Sequence, residues 1–194
     1  MLFIATSIYL RLGLAKISAT KPITVEEISN ERGSAGLSAL MRENVWDYPR
    51  PAVCEPFVGT LSVVVEGIVI AESQSALRTL ETSHPPTYYF PAADVNYGNL
   101  CKNERSTFCE WKGKASYFSY VTSQNVIPNI GWCYTNPTKS FSGIKGYISF
   151  YASKADACYV NGERVQHQEG DFYGGWITSN LVGPFKGGVG TLGW

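Results

Sequence analysis

The stretch Ser106-Thr-Phe-Cys-Glu-Trp-Lys-Gly-Lys-Ala-Ser-Tyr-Phe-Ser119 decides how the rest of the chain is read. Aromatic and small residues flank Gly113-Lys114, a pattern that predicts a β-hairpin bending at those two residues. Side chains alternate between the faces of a strand. Thr107, Cys109 and Trp111 then share one face, and Phe108, Glu110 and Lys112 share the other. Cys109 on the first face reads as a small core residue, because a reactive thiol needs exposure and a partner that lowers its pKa. Glu110 and Lys112 on the second face admit two readings. They form a surface ion pair, or they line a pocket in which Glu110 is a general acid/base and Lys112 tunes its charge.

Working outward, the β pattern continues. Leu61–Val65 and Ile68–Ile70 are β-branched runs broken by Glu66-Gly67, and Ala157–Val160 and Glu163–Gln166 flank Asn161-Gly162; both breaks are hairpin chemistry. Thr87–Phe90, Gly131–Tyr134 and Ile144–Tyr151 complete the expected strands. Ser73–Thr82 reads as a helix with Ala76, Leu77 and Leu80 on one face, ended by His84-Pro85-Pro86. Asp94–Leu100 reads as one or two helical turns. Residues 1–44 differ in character: Thr24-Val-Glu-Glu27 fits a capping box, and Ser34 can cap a second short helix. This places an N-terminal extension at 1–44 and a single domain at 45–194. The fold class is α+β, mainly antiparallel β in two sheets with short peripheral helices.

Composition narrows the function classes. The 194 residues include 13% aromatic and only 16% charged residues, with a formal net charge of zero. Nucleic-acid binding rests on clustered Lys and Arg, so it is not expected here. The apolar run Met1–Leu10 is far shorter than the roughly 20 residues a membrane span requires. The five cysteines are odd in number and lack a Cys-x-x-Cys pair, as expected of reduced thiols in a cytoplasmic protein. With two histidines and no paired ligands, no metal and no cofactor are expected.

Five motifs in a fixed order carry a resemblance. They are Leu80-Glu-Thr-Ser-His-Pro-Pro-Thr-Tyr-Tyr-Phe-Pro91, the 106–118 stretch, Trp132-Cys-Tyr134, Gly146-Tyr147 through Phe150-Tyr151, and Gly170-Asp-Phe-Tyr-Gly-Gly-Trp-Ile-Thr178. From about Trp46 to Trp194 the sequence resembles the domain of unknown function 427 family, which also carries the label nucleotidyltransferase-like. The resemblance implies a β-tent-like arrangement, two small sheets meeting at an angle with a pocket between them. Zinc-binding relatives of that broader fold use two Cys-x-x-Cys pairs, which this chain lacks. The label is not matched by an Asp-x-Asp pair or a Gly-rich loop ending in Lys-Ser or Lys-Thr.

The remaining candidates are binding residues. Tyr173 and Trp176, around Gly174-Gly175, are either core aromatics beside a bulge or the wall of a pocket for a planar or apolar ligand. His84 is a cap for a helix end or a cleft residue, with Tyr89 bringing a hydroxyl toward the same place. Arg50, between two prolines, is an anion clamp or a surface salt bridge, whereas Lys186 reads as a solvated charge. The expected partner is a small-molecule ligand of unspecified identity. The alternatives are a protein-interaction module and, third, nucleotidyl transfer.

Overall fold

A computed structural model describes residues 42–170, 172–191 and 193–194 of the chain, and all but one of the strand pairings within it are antiparallel. The helices expected from Thr24 and Ser34 lie outside the described residues. Among the described residues the only helical segments are three 3-10 stretches, Val45–Asp47, Ala92–Asp94 and Lys139–Ile144. The domain is therefore mainly β there, without the peripheral α-helices expected of an α+β fold.

Three sheets of three or four strands stand where two were expected. The central sheet orders its strands Ile148–Phe150, Val126–Cys133, Gly113–Val121, Leu100–Cys109. A second sheet runs Glu163–Arg164, Ala157–Val160, Leu61–Val65, Ile68–Ser73, and a third runs Val53–Pro56, Leu77–Leu80, Thr87–Tyr89. Phe90 and Ile148 exchange main-chain hydrogen bonds of 2.7 and 2.9 Å, joining the third sheet to the central one. Both short hairpins turn where expected. Glu66 and Gly67 have φ of 51° and 72°, and Asn161 and Gly162 have 51° and 82°, the paired positive values of a tight two-residue turn.

Two elements differ from expectation for identifiable reasons. Leu77–Leu80 is a strand, not part of a helix, because it is paired on both sides, with Val53–Pro56 and Thr87–Tyr89. Four residues with apolar ends satisfy either period, and the pairing partners decide. The long hairpin bends at Glu110–Lys112, since Gly113 pairs with Cys109. Glu110 and Lys112 thus sit in a connecting loop and do not share a strand face. Asp94–Leu100 is likewise not helical beyond the 3-10 turn that ends at Asp94.

The pleat sorts neighbouring side chains into two apolar clusters. Tyr88 and Phe90 join a main core with Leu61, Val63, Tyr120, Ile130, Phe150 and Trp176. Tyr89, between them, joins a second cluster with Tyr117, Trp132, Tyr134, Phe141 and Tyr151. The same alternation sends Trp132 and Tyr134 to the second cluster and Cys133 to the first. At the periphery, Arg78 ties Glu43 to Glu55, with contacts of 2.9 and 2.8 Å.

Candidate functional site

The second cluster does not close. It forms the inner wall of a cleft of about 380 Å³, within the usual size range of small-molecule sites. Arg50, His84, Tyr89, Glu110, Lys112 and Tyr173 all line it, so six of the seven residues singled out from the sequence meet in one place. Trp176 does not. Its ring is fully buried in the main core and its Nε1–H donates to the Phe150 carbonyl at 2.9 Å. A fully satisfied indole beside Tyr88 and Phe90 has no surface left for a ligand.

His84 follows the strand Leu77–Leu80, in a turn that Ser83 enters with φ of 68°. The turn is held by the Thr82 hydroxyl donating to the Tyr48 carbonyl at 2.6 Å and by the Lys186 amide donating to the Ser83 carbonyl at 2.8 Å. His84 is therefore not a helix cap. Behind it, Gln168 is buried and fully engaged. Its Oε1 accepts from the Gly175 amide at 3.0 Å, and its Nε2 donates to the Lys186 carbonyl at 2.6 Å and to His84 Nδ1 at 3.1 Å. A main-chain amide only donates and a carbonyl only accepts, so the side-chain amide has one satisfactory orientation. His84 Nδ1 is then an acceptor, and the neutral ring carries its proton on Nε2. That nitrogen has no hydrogen-bond partner among the described residues. Burial lowers the His84 pKa to about 4; Glu81 opposes the shift, and Lys186, Lys112 and Arg50 add to it. The imidazole is neutral at pH 7.

Tyr173 packs edge-on against His84, with ring centroids 4.5 Å apart, and the Lys186 ammonium lies 5.6 Å from the Tyr173 centroid. Burial raises the Tyr173 pKa. Lys186 is buried, not a solvated charge, and its Nζ donates to the Trp194 main-chain oxygen at 2.6 Å. Both glycines between Tyr173 and Trp176 are required by contact. A Cβ on Gly174 would lie 2.5 Å from Trp132 Cη2, and one on Gly175 would lie 2.7 Å from the Pro85 carbonyl oxygen.

On the opposite rim, Thr138 pins the 110–112 loop. Its hydroxyl donates to the Trp111 carbonyl at 2.5 Å and its amide to the Lys112 carbonyl at 3.2 Å. The Trp111 indole donates to Glu81 at 3.0 Å, and Lys112 lies over the Phe141 ring. Cys109 and Trp111 pack against the second cluster, Cys109 from the strand end and Trp111 from the connecting loop. Glu110 is 66% exposed and meets Arg50, not Lys112, at 3.7 Å. An exposed pair of this kind contributes about 0–1 kcal/mol. Phe108, on the face opposite Cys109, is 75% exposed at the cleft mouth.

At the inner wall the Tyr89 hydroxyl is fully buried and has no hydrogen-bond partner among the described residues. The Trp132 and Thr79 side chains face it and only partly offset the desolvation that raises its pKa. Glu81 and Lys186, which line the cleft, and Gln168 behind it are among the residues that sequence reasoning missed. Glu81 was the most accessible of them, since it stands three residues before His84 within one motif.

These features define a small antiparallel β domain with an aromatic cleft bearing cationic side chains. The chain belongs to the domain of unknown function family DUF427, whose family model matches residues 53–161. No curated protein matches it. The matched span is narrower than the stretch from Trp46 to Trp194 over which the motifs run. It holds His84, Tyr89, Glu110 and Lys112, while Arg50, Tyr173 and Lys186 come from flanking residues.

Proposed function

We propose that this domain binds a small molecule in the cleft between Tyr89, His84 and Tyr173. The observation that carries the reading is a cleft with an aromatic wall, combined with two polar groups that have no hydrogen-bond partner among the described residues, the buried Tyr89 hydroxyl and His84 Nε2. A buried polar group left unsatisfied costs about 1–3 kcal/mol, a cost that a ligand bonding to it would remove. The tent-like arrangement is supported by the Phe90–Ile148 bridge, which joins two of the sheets. Five free thiols suit a reducing, cytoplasmic setting.

An enzymatic role with Glu110 as acid/base and Lys112 as its charge partner is a second reading, favoured by their place on the cleft rim. The exposure of Glu110 and its pairing with Arg50 make it better suited to contacting a ligand at the mouth than to proton transfer inside. A protein-interaction module would call for a contiguous apolar face of several hundred Å². Among the exposed apolar residues, Val58, Ile68-Val69 and Val189 stand in different segments, while Trp46 and Trp194 pack together at 5.4 Å and Phe108 and Phe172 both line the cleft. Nucleotidyl transfer has the least support, because among the described residues no three potential metal ligands come together.

A thermal-shift screen of metabolites on the wild-type protein tests the reading. A ligand at 100 times its Kd stabilises by about 2.7 kcal/mol. Each hit is repeated on Tyr173→Ala and Glu110→Gln. Binding in the cleft predicts that Tyr173→Ala abolishes the shift. Catalysis by Glu110 predicts that Glu110→Gln keeps the shift and stops turnover. Hits indifferent to Tyr173→Ala would refute the cleft as the site.

A further inference from the structure

The cations that line the cleft are largely answered by the chain itself. Lys186, only 6% exposed, donates through Nζ to the Trp194 main-chain oxygen at 2.6 Å, and Arg50 Nη1 meets the same oxygen at 3.5 Å. Arg50 also pairs with Glu110 at 3.7 Å. Lys112 is partly exposed and lies over the Phe141 ring. An anion bound by Lys186 would have to displace the Trp194 oxygen, so the buried cation offers it no vacant place.

What the cleft leaves unpaired is a donor near an acceptor. Gln168 holds Nδ1 of His84, which puts the ring proton on Nε2, and that N–H has no partner among the described residues. Glu81 stands in the same turn, closed by the His84 amide donating to the Glu81 carbonyl at 3.0 Å. Its Oε1 accepts from the Trp111 indole at 3.0 Å, and its Oε2 has no partner among the described residues. Both side chains line the cleft with Tyr173, whose ring packs edge-on against His84 at 4.5 Å.

We infer that the cleft takes a neutral aromatic amide, its carbonyl accepting from His84 Nε2–H, its N–H donating to Glu81 and its ring against Tyr173. This rests on the cleft reading above and adds the chemistry of the ligand. An amide presents an acceptor and a donor side by side without carrying a charge. A carboxylate would accept from His84 but bring a like charge to Glu81. An ammonium would suit Glu81 but face the His84 N–H donor and the cations Arg50, Lys112 and Lys186. A site that bonds both ends of a polar group rejects an analogue that leaves one end unpaired.

Isothermal titration with defined probes tests the inference: benzamide, 2-naphthamide and indole-3-acetamide, their N,N-dimethyl amides, the matching carboxylic acids, and the matching primary amines. The primary amides are expected to bind at least about tenfold more tightly than the acids or the amines. The dimethyl amides, which lack the N–H, should bind about tenfold more weakly than the primary ones. Glu81→Gln keeps an oxygen for the Trp111 indole and removes the charge. It should weaken the primary amides a few-fold and bring the acids to within about threefold of them. His84→Gln should weaken both kinds of amide by about tenfold, and Glu81→Gln keeps the question measurable should that variant fail to fold. Acids or amines that match the primary amides, with Tyr173→Ala weakening all of them, would overturn the amide inference and leave the cleft reading standing. Dimethyl amides that bind as tightly as primary ones would do the same. Amide binding that is indifferent to Tyr173→Ala would overturn the cleft reading itself, and no binding of any probe would overturn the amide inference.

Discussion

The two sides of the central sheet are built from the same kinds of residue and end in different states. On one side Tyr88, Phe90 and Trp176 are sealed in the main core, and the one polar atom of the Trp176 ring has its partner. On the other side Tyr89, Trp132 and Tyr134, themselves buried, back the inner wall of the cleft. There a tyrosine hydroxyl has no partner among the described residues, an ammonium is buried, and a histidine is held neutral. Aromatic content is therefore a poor guide to function in this protein. The useful distinction is whether polar atoms are satisfied, because a domain built only for stability leaves few of them without partners.

The contrast is most severely tested in the closed side. Trp176→Ala should cost about 3–5 kcal/mol in chemical denaturation, the range for removing a large aromatic from a packed core. If the variant loses less than about 1 kcal/mol, Trp176 is not the core residue its burial indicates.

The next effect is in the open side and depends on pH. The folded-state pKa of His84 is about 4, below the ordinary 6.5, so the unfolded chain binds the proton more readily. The stabilising contribution is complete above pH 6.5 and is lost as pH falls toward 4. Its full size is on the order of 3 kcal/mol. Carboxylates titrate over part of the same range, so the readout is the difference between the wild type and His84→Gln. The wild type should lose more stability than the variant between pH 7 and pH 4. Parallel curves would show that His84 is not held neutral by burial.

The smallest effect on stability sharpens the comparison most. Tyr89→Phe removes a hydroxyl that has no partner among the described residues, and stability should stay level or rise by up to about 1 kcal/mol. Affinity for any cleft ligand should fall a few-fold at the same time. A marked loss of stability would mean that the hydroxyl is already satisfied in the folded protein.

How much of this was legible in the sequence depended on the range of the interactions involved. Glu66-Gly67 and Asn161-Gly162 specify their turns through their own backbone preferences, and they could be read directly. The convergence of Arg50, His84, Tyr89, Glu110, Lys112 and Tyr173 was also within reach, because each stands in or beside a distinctive motif. Leu77–Leu80 was not, since its strand state is imposed by partners elsewhere in the chain, Val53–Pro56 on one side and Thr87–Tyr89 on the other. The burial of Lys186 likewise follows from contacts with Ser83, Gln168 and Trp194 that no local pattern encodes. Trp176 was misplaced because Tyr173 and Trp176 look equivalent in sequence, and only the partner of the indole N–H separates them.

The alternation at Tyr88-Tyr89-Phe90 has a practical consequence for redesign. Even and odd positions on that strand answer to different masters, so the cleft can be re-tailored at Tyr89, Tyr117 and Trp132 while Tyr88, Phe118 and Cys133 go on holding the sheets together. A library confined to the first set would change the cleft wall while leaving the main core as it is.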